Sequence, residues 1–557
     1  MIPFVPSRKL ARFRPVLIAA LLPALHGSAD PPPVGREELG TIQFDVTGDA
    51  ETREHVVRGV KLLHHMMYLQ ADREFAEVLA HDPDCGFGYW GRAMAIIHPL
   101  WADIPDSQDL QQGLDYVRAG TARPLHSLRE RAYLATMEAF FRGGPDRSLP
   151  ARLRGADAAW SATVAQYPDD LDAAAFGALY HLAQARFLPK DKSYRLQIET
   201  ASVLDGILAR IPDHPGALHY KIHALDFPLL AGRALEVCDA YGELAPEVPH
   251  ALHMPTHIYT RLGQWDKSID FNERSAGAAR AIAGAEGSLN SDLPHALDYL
   301  AYAYLQRGQY RKVEAIAREV GGAGGPYQAS NRPAMAFAFA SIPARLALER
   351  RDWPAAARLA LHQPAAFPWG DRYLYCDSLV RFSRALGAVR SGDRDTAQLE
   401  LAELEAIGRR IDAVIPGSYW AAQAEVQILT IRGWLAQAEG RPGDALAALR
   451  QAVDIEASTD KEAVTPGEVL PAGELLGELL NEQRRPRDAL AAFEAQLAVS
   501  PNRFNGLYGA ARSAEMAGEP VTAVRHYRNL LAAAAFADPG NPRVEEAKAF
   551  LAGHPGT

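Results

Sequence analysis

Three segments of the chain align without gaps and decide the fold: PGALHYKIH at positions 215–223, PHALHMPTH at 249–257 and PHALDYLAY at 294–302. They begin 34 and 45 residues apart, and a weaker copy, PDDLD, begins at position 168. Each opens with a proline, which fits the first position of a helix because its missing N–H has no intrahelical partner there. We interpret these segments as the first helices of repeated units.

The sequence that follows the openings also repeats. LGQW at 262–265 matches RGQY at 307–310, and each leads into a second amphipathic stretch. Nearer the C-terminus, GRPGDAL at 440–446, RRPRDAL at 484–490 and GEPVTAV at 518–524 recur at offsets of 44 and 34. The unit is therefore a helix, a turn and a second helix. Strand patterns are scarce, so the sequence predicts an all-α fold, an α-solenoid of stacked helix-turn-helix repeats.

The C-terminal repeats resemble the tetratricopeptide repeat (TPR) family, whose 34-residue unit places a small residue where its two helices cross and a Leu or aromatic residue four positions later. The matching pairs are Ala445 with Leu449, Ala489 with Phe493, and Ala523 with Tyr527. The resemblance implies an extended concave groove that binds a protein or peptide segment. Spacings of 44 and 45 exceed the family period and indicate longer loops or extra turns.

We divide the chain at its changes of composition. The predicted parts are a signal peptide at 1–29, N-terminal helical capping repeats at 30–160, central TPR-like repeats at 161–320, a Gly/Pro-rich hinge at 321–333 and C-terminal TPR repeats at 334–557. The hinge rests on the run GGAGGP at 321–326, because a Gly-rich backbone resists helix formation and proline prevents its continuation.

The first 29 residues are typical of a secretory leader, with four basic residues before a short apolar run at 16–25. This run is too short to cross a bilayer, and no later stretch is apolar enough, so we expect an exported periplasmic or extracellular protein without a transmembrane segment. Removal of the leader takes the formal net charge from −10 to −14. An acidic chain argues against a nucleic-acid partner, which requires clustered Lys and Arg.

Residue types exclude several kinds of site. The three cysteines, Cys85, Cys238 and Cys376, are too few and too widely spaced for a disulfide framework or a CxxC metal site. A phosphate-binding loop, a GxSxG elbow and a dinucleotide fingerprint are absent from the sequence. Any metal site must therefore use nitrogen and oxygen ligands.

Histidines concentrate in the central repeats. Six of the 18 histidines fall between positions 219 and 295: His219, His223, His250, His253, His257 and His295. Within one helix, spacings of three and four residues place side chains on the same face. The HExxH type of zinc site uses the same i, i+4 pair, although that motif is absent here.

Alignment of the repeats stacks these residues in columns. One column contains Asp172, His219, His253 and Asp298, and another contains His250 and His295. Because neighbouring helices pack about 8–10 Å apart, aligned imidazoles and carboxylates can share one ion. The predicted ligands are the six histidines and Asp298. One possible division is a site of His219, His223, His253 and His257, with a second site of His250, His295 and Asp298.

Several functions remain open at this point. Histidine and aspartate suit zinc, iron, copper or manganese, and the sequence does not choose among them or between one ion and two. The first hypothesis is an exported binding or scaffold protein with a metal or polar centre in its groove. The second is a metal-dependent enzyme, hydrolytic or oxidative, with Asp172 or Asp298 as the acid–base residue. The third is a purely structural array that recognises a protein segment.

Pro255 breaks the pattern of the repeats. It lies midway between His253 and His257, where it removes an N–H and crowds the carbonyl of Ala251. The aligned segments have no proline at this position. We expect either a kink that re-aims His257 or a proline close enough to the start of the helix to cost little.

Overall fold

The computed structural model describes residues 39–101, 105–144, 146–187, 192–328, 332–414 and 417–554, so the predicted signal peptide lies outside the described residues. Antiparallel helix pairs follow one another along the chain. The helices before the histidine-rich segments are α1 (Ala50–His64), α2 (Tyr68–His81), α3 (Gly86–Met94), α4 (Ser107–Thr121), α5 (Leu128–Phe141), α6 (Leu149–Gln166), α7 (Leu171–Ala183) and α8 (Arg195–Leu208).

The central and C-terminal parts continue the same plan. The central helices are α9 (Pro215–Leu225), α10 (Leu235–Leu244), α11 (Pro249–His253), α12 (Pro255–Arg261), α13 (Trp265–Glu286), α14 (Asp292–Gln306) and α15 (Tyr310–Gly321). The later helices are α16 (Arg332–Glu349), α17 (Trp353–Ala356), α18 (Leu374–Arg390), α19 (Arg394–Val414), α20 (Tyr419–Ala438), α21 (Pro442–Ser458), α22 (Ala472–Glu482), α23 (Pro486–Val499), α24 (Phe504–Met516), α25 (Pro520–Ala533) and α26 (Pro542–Ala552). Short 3₁₀ turns occupy Gln184–Phe187, Ala231–Ala234 and Asp371–Tyr373.

The prediction of an all-α, TPR-like solenoid is confirmed. Among the described residues, the only β-type pairing is a single bridge between Leu289 and Tyr327. Within the same residues, no helix combines the length and the apolar character that crossing a bilayer would require.

Prolines begin most of the repeat helices as the sequence predicts, with two differences: Pro168 of the weaker copy lies in the turn before α7, which begins at Leu171, and Pro294 lies inside its helix. Pro215, Pro442, Pro486 and Pro520 each occupy the first helical position. Pro294 instead lies two residues inside α14, which begins at Asp292. This costs no hydrogen bond, because amides in the first turn have no intrahelical acceptor.

First helices of successive pairs pack side by side. Helix α9 lies between α7 and α12, and α14 packs against both α11 and α12 on one side and α16 on the other. The second helices pack against the first helices of their own pairs, for example α13 on α11 and α12, and α21 on α20. Equivalent positions in α9, α11–α12 and α14 therefore face one another.

The predicted hinge at 321–333 lies between α15 and α16, and its residues 329–331 lie outside the described residues. Helix α14 packs directly on α16 across this connection. The N–H of Leu289 donates to the carbonyl of Pro326, and the N–H of Gln328 donates to the carbonyl of Leu289, each at 2.9 Å. The boundaries of the proposed parts stay a prediction.

A buried arginine joins the C-terminal repeats to the central ones. Arg503 donates to Glu474, to Glu349 and to the hydroxyl of Tyr302, each at 2.6 Å. All four side chains are buried. Charge-assisted bonds of this kind tolerate burial because the guanidinium and both carboxylates are paired. They hold the start of α24 against α14, α16 and α22.

Glycines allow Phe493 to fill the space between three helices. The ring extends from α23 and lies against Gly477 of α22 and Gly509 of α24. A Cβ built on Gly509 would lie 2.3 Å from the ring and one on Gly477 would lie 2.5 Å from it. Helices α22 and α24 can therefore approach the Phe493 ring this closely only because glycine has no side chain.

Substitution of Gly509 by alanine should destabilise the C-terminal repeats by about 1–3 kcal/mol, because the added methyl group overpacks the Phe493 ring. Gly443 in α21 is exposed and has open space around its Cβ position, so Gly443→Ala should be neutral or stabilise by up to about 1 kcal/mol through helix propensity. Urea unfolding followed by circular dichroism compares the two variants. Equal midpoints for both would contradict the packing argument.

Candidate metal centre

The six histidines of the predicted columns lie together in two groups of three. The first trio is His219 and His223 from α9 with His250 from α11, and the second trio is His253 from α11, His257 from α12 and His295 from α14. In each trio, one ring nitrogen of every member lies within 4.8 Å of the ring nitrogens contributed by the other two. The trios adjoin, since the ring centroids of His223 and His257 are 6.0 Å apart. We call the whole set the six-histidine cluster.

Burial keeps the imidazoles of the cluster neutral. His223 is half-buried and the other five side chains are buried. Desolvation lowers the pKa of His219 to about 3 and lowers the pKa of the other five below the usual value for histidine. Neutral imidazole is the form that binds metal ions.

The first trio presents three nitrogen atoms without a hydrogen-bond partner. His219 donates its Nδ1–H to the carbonyl of His64 at 2.6 Å, which leaves its Nε2 as a free lone pair. The Nε2 atoms of His219, His223 and His250 are buried and accept no bond from any described residue. Unpaired buried polar atoms are costly, so three of them at one point indicate a missing partner.

In the second trio, neighbouring side chains fix the imidazole tautomers. His253 Nδ1 lies 2.8 Å from Oδ1 of Asn272, whose amide is oriented by its Nδ2 donating to the carbonyl of Ser268 at 2.9 Å. His257 Nδ1 lies 2.9 Å from Oδ2 of Asp226. Both partners are acceptors, so both Nδ1 atoms carry the proton.

As a consequence, the Nε2 lone pair of His253 faces the Nε2 lone pair of His257. The Nε2 atoms of His253 and His257 are only 3.0 Å apart. A proton on one of these Nε2 atoms could come about in two ways. Either that ring carries a second proton and becomes an imidazolium, which burial opposes, or its Nδ1 loses its proton and faces an acceptor oxygen with a lone pair. Nδ1 of His295 is also buried without a partner among the described residues. A cation bound to the three nitrogens would remove the repulsion.

Both features that the sequence allows at Pro255 are present, since the helix is interrupted there and the proline occupies the first position of the helix that follows. Helix α11 ends at His253, and α12 begins at Pro255. The amide of His257 donates to the carbonyl of Met254 at 3.2 Å, and Thr256 Oγ1 donates to the carbonyl of His253 at 2.7 Å. The tightened turn thus satisfies the carbonyl released by the break and directs His257 towards His253.

Asp226 links the second trio to two cations. Besides His257, its carboxylate accepts from Arg261 Nε at 2.8 Å and from Lys461 Nζ at 3.0 Å. Burial alone would raise the pKa of Asp226, but Lys461, Arg261 and His257 hold it well below its usual value. An ionised carboxylate behind a histidine is the usual outer partner of a metal-bound imidazole.

Lys461 belongs to the connection between α21 and α22, residues 459–471, which we call the inner segment. It packs along the first helices: Tyr299 of α14 donates to the carbonyl of Thr465 at 2.9 Å, and Arg345 of α16 donates to Thr465 Oγ1 at 2.8 Å and to the carbonyl of Gly467 at 2.9 Å. Burial lowers the pKa of Lys461 to about 8 in spite of its ion pair with Asp226. The inner segment therefore covers part of the predicted groove.

Tyr299 lies directly against the second trio. Its ring centroid is 4.7–5.4 Å from the ring centroids of His253, His257 and His295. Its hydroxyl lies 3.3 Å from His257 Nδ1 and 3.4 Å from Lys461 Nζ. The Tyr299 ring therefore covers one side of the second trio.

The structure places two details of the predicted ligand set differently. Asp298 does not join the cluster, because its carboxylate is paired with Arg345 and accepts from Ser341 at 2.6 Å. The histidines also divide differently from the sites suggested by the columns, since His250 joins α9 and His295 joins α11–α12. Alignment gives the position of a residue along a helix, but the rotation of each helix decides which neighbour it faces.

Asp172 lies outside the six-histidine cluster, with two other histidines. Its Oδ1 lies 2.9 Å from Nε2 of His64 and 3.4 Å from Nε2 of His214. Nδ1 of His214 accepts from the amide of Ala217, and Nδ1 of His64 accepts from the hydroxyl of Tyr220. Nε2 of His64 therefore carries a proton and donates it to Asp172, whereas Nε2 of His214 and Oδ2 of Asp172 are buried without a hydrogen-bond partner among the described residues.

The sequence reasoning did not identify the outer partners of the cluster. Asp226 and Asn272 fall outside the aligned columns, and Lys461 is 235 residues from Asp226 along the chain. The i, i+3 spacing of His223 and Asp226 on a helix was the one available signal, but Asp226 follows the last residue of α9. Asn272 and Lys461 reach the cluster only through tertiary packing, which the repeat alignment does not describe.

The metal-free protein should lose stability steeply below pH 6.5. Unfolded imidazoles take up protons near pH 6.5, whereas the folded-state pKa of His219 is about 3, so protons favour the unfolded state between these values. Each such histidine contributes a slope of about 1.4 kcal/mol per pH unit. Urea unfolding in EDTA at a series of pH values should show a shallower slope for His219→Gln than for the wild type. An unchanged slope for His219→Gln would contradict the burial argument.

Searches of protein-family models and of curated proteins found no match. Among solved structures, yeast Tom70 is 10% identical, with 90% of this chain and 96% of that chain covered and a TM-score of 0.31. The human IFIT1 dimer with m7Gppp-AAAA is 12% identical, with coverage of 88% and 92% and a TM-score of 0.33. Naa15/Naa10 bound to HypK-THB is 12% identical, with coverage of 91% and 75% and a TM-score of 0.23. At these values, no property of the three proteins transfers to this chain.

Proposed function

We propose that this solenoid binds transition-metal ions in its six-histidine cluster, one ion in each trio. The observation that carries the proposal is the approach of His253 Nε2 to His257 Nε2 at 3.0 Å while both Nδ1 atoms face acceptors. Two neutral lone pairs at this distance repel each other, and a cation lying against both would remove the repulsion. The three unpartnered Nε2 atoms of the first trio provide an equivalent set of donors.

The donor set narrows the choice of metal. Imidazole suits zinc, copper and iron, whereas manganese prefers carboxylate and water oxygens. With Asp298 engaged by Arg345, the cluster offers six nitrogens and no carboxylate ligand. Three protein ligands leave each ion with an open coordination position.

We further propose that the solenoid is an exported binding or scaffold protein, and that the cluster is its metal centre. The inner segment already covers the first helices next to the cluster, through Tyr299 and Arg345. A protein or peptide partner would accordingly use the part of the inner surface beyond this segment.

A metal-dependent enzyme, oxidative or hydrolytic, is the second candidate. The open coordination positions favour it, as do Tyr299 and Lys461, which place a hydroxyl and an ammonium group beside the second trio. Asp172 and Asp298 are less suited to acid–base chemistry, because each is committed to buried partners away from the cluster. Oxygen consumption with a reductant and hydrolysis of chromogenic esters by the metal-loaded protein distinguish the two chemistries.

Mass-spectrometric metal analysis of the purified protein tests the main proposal. We expect about two equivalents per chain, about one in His253→Ala/His257→Ala, and about one in His219→Ala/His223→Ala, since each double variant removes two of three ligands from one trio. His181→Ala is a matched control, because its half-buried side chain pairs with Asp157 and Glu199 elsewhere.

Two results would contradict the proposal. One is a protein that binds no added zinc, copper or iron and melts at the same temperature with and without chelator. The other is an unchanged metal content in both double variants. A bound ion at 100 times its Kd should stabilise the fold by about 2.7 kcal/mol, which is measurable by thermal unfolding.

A further inference from the structure

The two trios of the cluster lie close enough to act on each other. The ring centroids of His223 and His257, which belong to different trios, are 6.0 Å apart. Burial is the main cause of the lowered histidine pKa values, but a charge on His257 also lowers the pKa of His219 and His223. A charge on His223 likewise lowers the pKa of His295. Ions in the two trios would therefore share one weakly screened interior.

The side chains of the cluster supply only part of the coordination that two ions need. Three nitrogens per ion leave at least one position open on each. Asp226 reaches the cluster through Nδ1 of His257, and Asp298 is paired with Arg345, so neither carboxylate is placed to fill an open position. The remaining ligands must come from outside the chain.

The charged side chains beside the second trio cancel. Asp226 pairs with Arg261 and Lys461, and Glu468 of the inner segment interacts electrostatically with the same two cations. Two carboxylates thus offset two cations, while the imidazoles are neutral. Divalent ions in both trios would add positive charge that no described side chain balances, and such burial is costly unless an anion accompanies the ions.

We infer that the loaded six-histidine cluster is a single dinuclear site in which one small anion bridges the two ions. The inference rests on the proposed function, since both trios must be filled. In the resting protein the anion is hydroxide, formed when a water molecule binds the ions and releases one proton to solvent. The bridge fills an open position on each ion and reduces the excess charge, and it does so equally for zinc, copper and iron.

The exposure of the cluster favours a small ligand at the junction of the trios. His223 is the one half-buried member, and its ring is the one that adjoins His257 of the other trio. The other five side chains are buried. Solvent therefore approaches the cluster most closely where the two trios meet, through an opening that suits an ion the size of hydroxide or azide.

Electron paramagnetic resonance of the copper-loaded protein tests this inference, because each Cu(II) ion carries one unpaired electron. In the wild type with both trios filled, the integrated signal should be about tenfold weaker than for separate ions, since ions bridged at about 3.5–4 Å couple their spins in opposite directions. His219→Ala/His223→Ala and His253→Ala/His257→Ala each keep one trio, so each should give the full signal of its bound copper. Mass spectrometry measures the copper in the same samples.

Azide titration of the copper-loaded wild type supplies a second readout that needs no variant in the cluster. Azide can replace a bridging hydroxide, and its charge-transfer absorbance should saturate at about one azide per chain because the bridge is a single position. His181→Ala should match the wild type in both experiments, since His181 pairs with Asp157 and Glu199 away from the cluster.

The outcomes distinguish the two proposals. If the wild type binds fewer than two copper ions per chain, the proposed stoichiometry fails and the inference fails with it. If both trios fill but the signal has the full intensity of two separate ions, or if two azide ions bind per chain, the metal centre stands and the shared anion is overturned.

Discussion

Side-by-side packing of first helices in a common phase is the constraint on which the centre depends. Helices α9, α11–α12 and α14 begin at related positions of the repeat and lie against one another. Side chains 27–42 residues apart in the chain thereby meet within a few ångströms. A repeat array normally uses this contact for small and apolar residues. Here the array places imidazoles at it, and burial turns each one into a directional donor that needs a partner.

Orientation of these imidazoles comes from parts of the chain outside the three helices. The carbonyl of His64 in α1 holds His219, Asn272 in α13 holds His253, and Asp226 with Lys461 holds His257. Outer partners of this type fix both the tautomer and the ring plane of a ligand. The cluster is therefore assembled only when the N-terminal pair, the central pairs and the inner segment are all in place. The geometry of the cluster therefore depends on packing between distant parts of the chain.

Much of this arrangement was predictable from sequence, and the rest was not for identifiable reasons. Gap-free repeats with prolines at helix starts predicted the helix pairs, and the histidine spacing predicted which six side chains share a region. Asp298 was included because its column aligns with His253, but in the structure its carboxylate pairs with Arg345 of α16. The pairing of trios depended on helix rotation and on the break at Pro255. Lys461 was out of reach, because a connection between α21 and α22 carries it back to α9 and α12.

The energetics of the metal-free cluster explain why such a site is tied to folding. Unpaired imidazole nitrogens in both trios, and the facing Nε2 atoms of His253 and His257, raise the free energy of the folded state. The Arg503 network and the Phe493 crossing lie elsewhere in the array and offset this cost through packing and charge pairing. An ion in each trio converts the unfavourable contacts into ligand bonds, so the free energy of binding adds directly to the free energy of folding. The coupling between metal binding and folding acts most strongly in the short helices α11 and α12. These two helices are separated by Met254 and supply three of the six imidazoles.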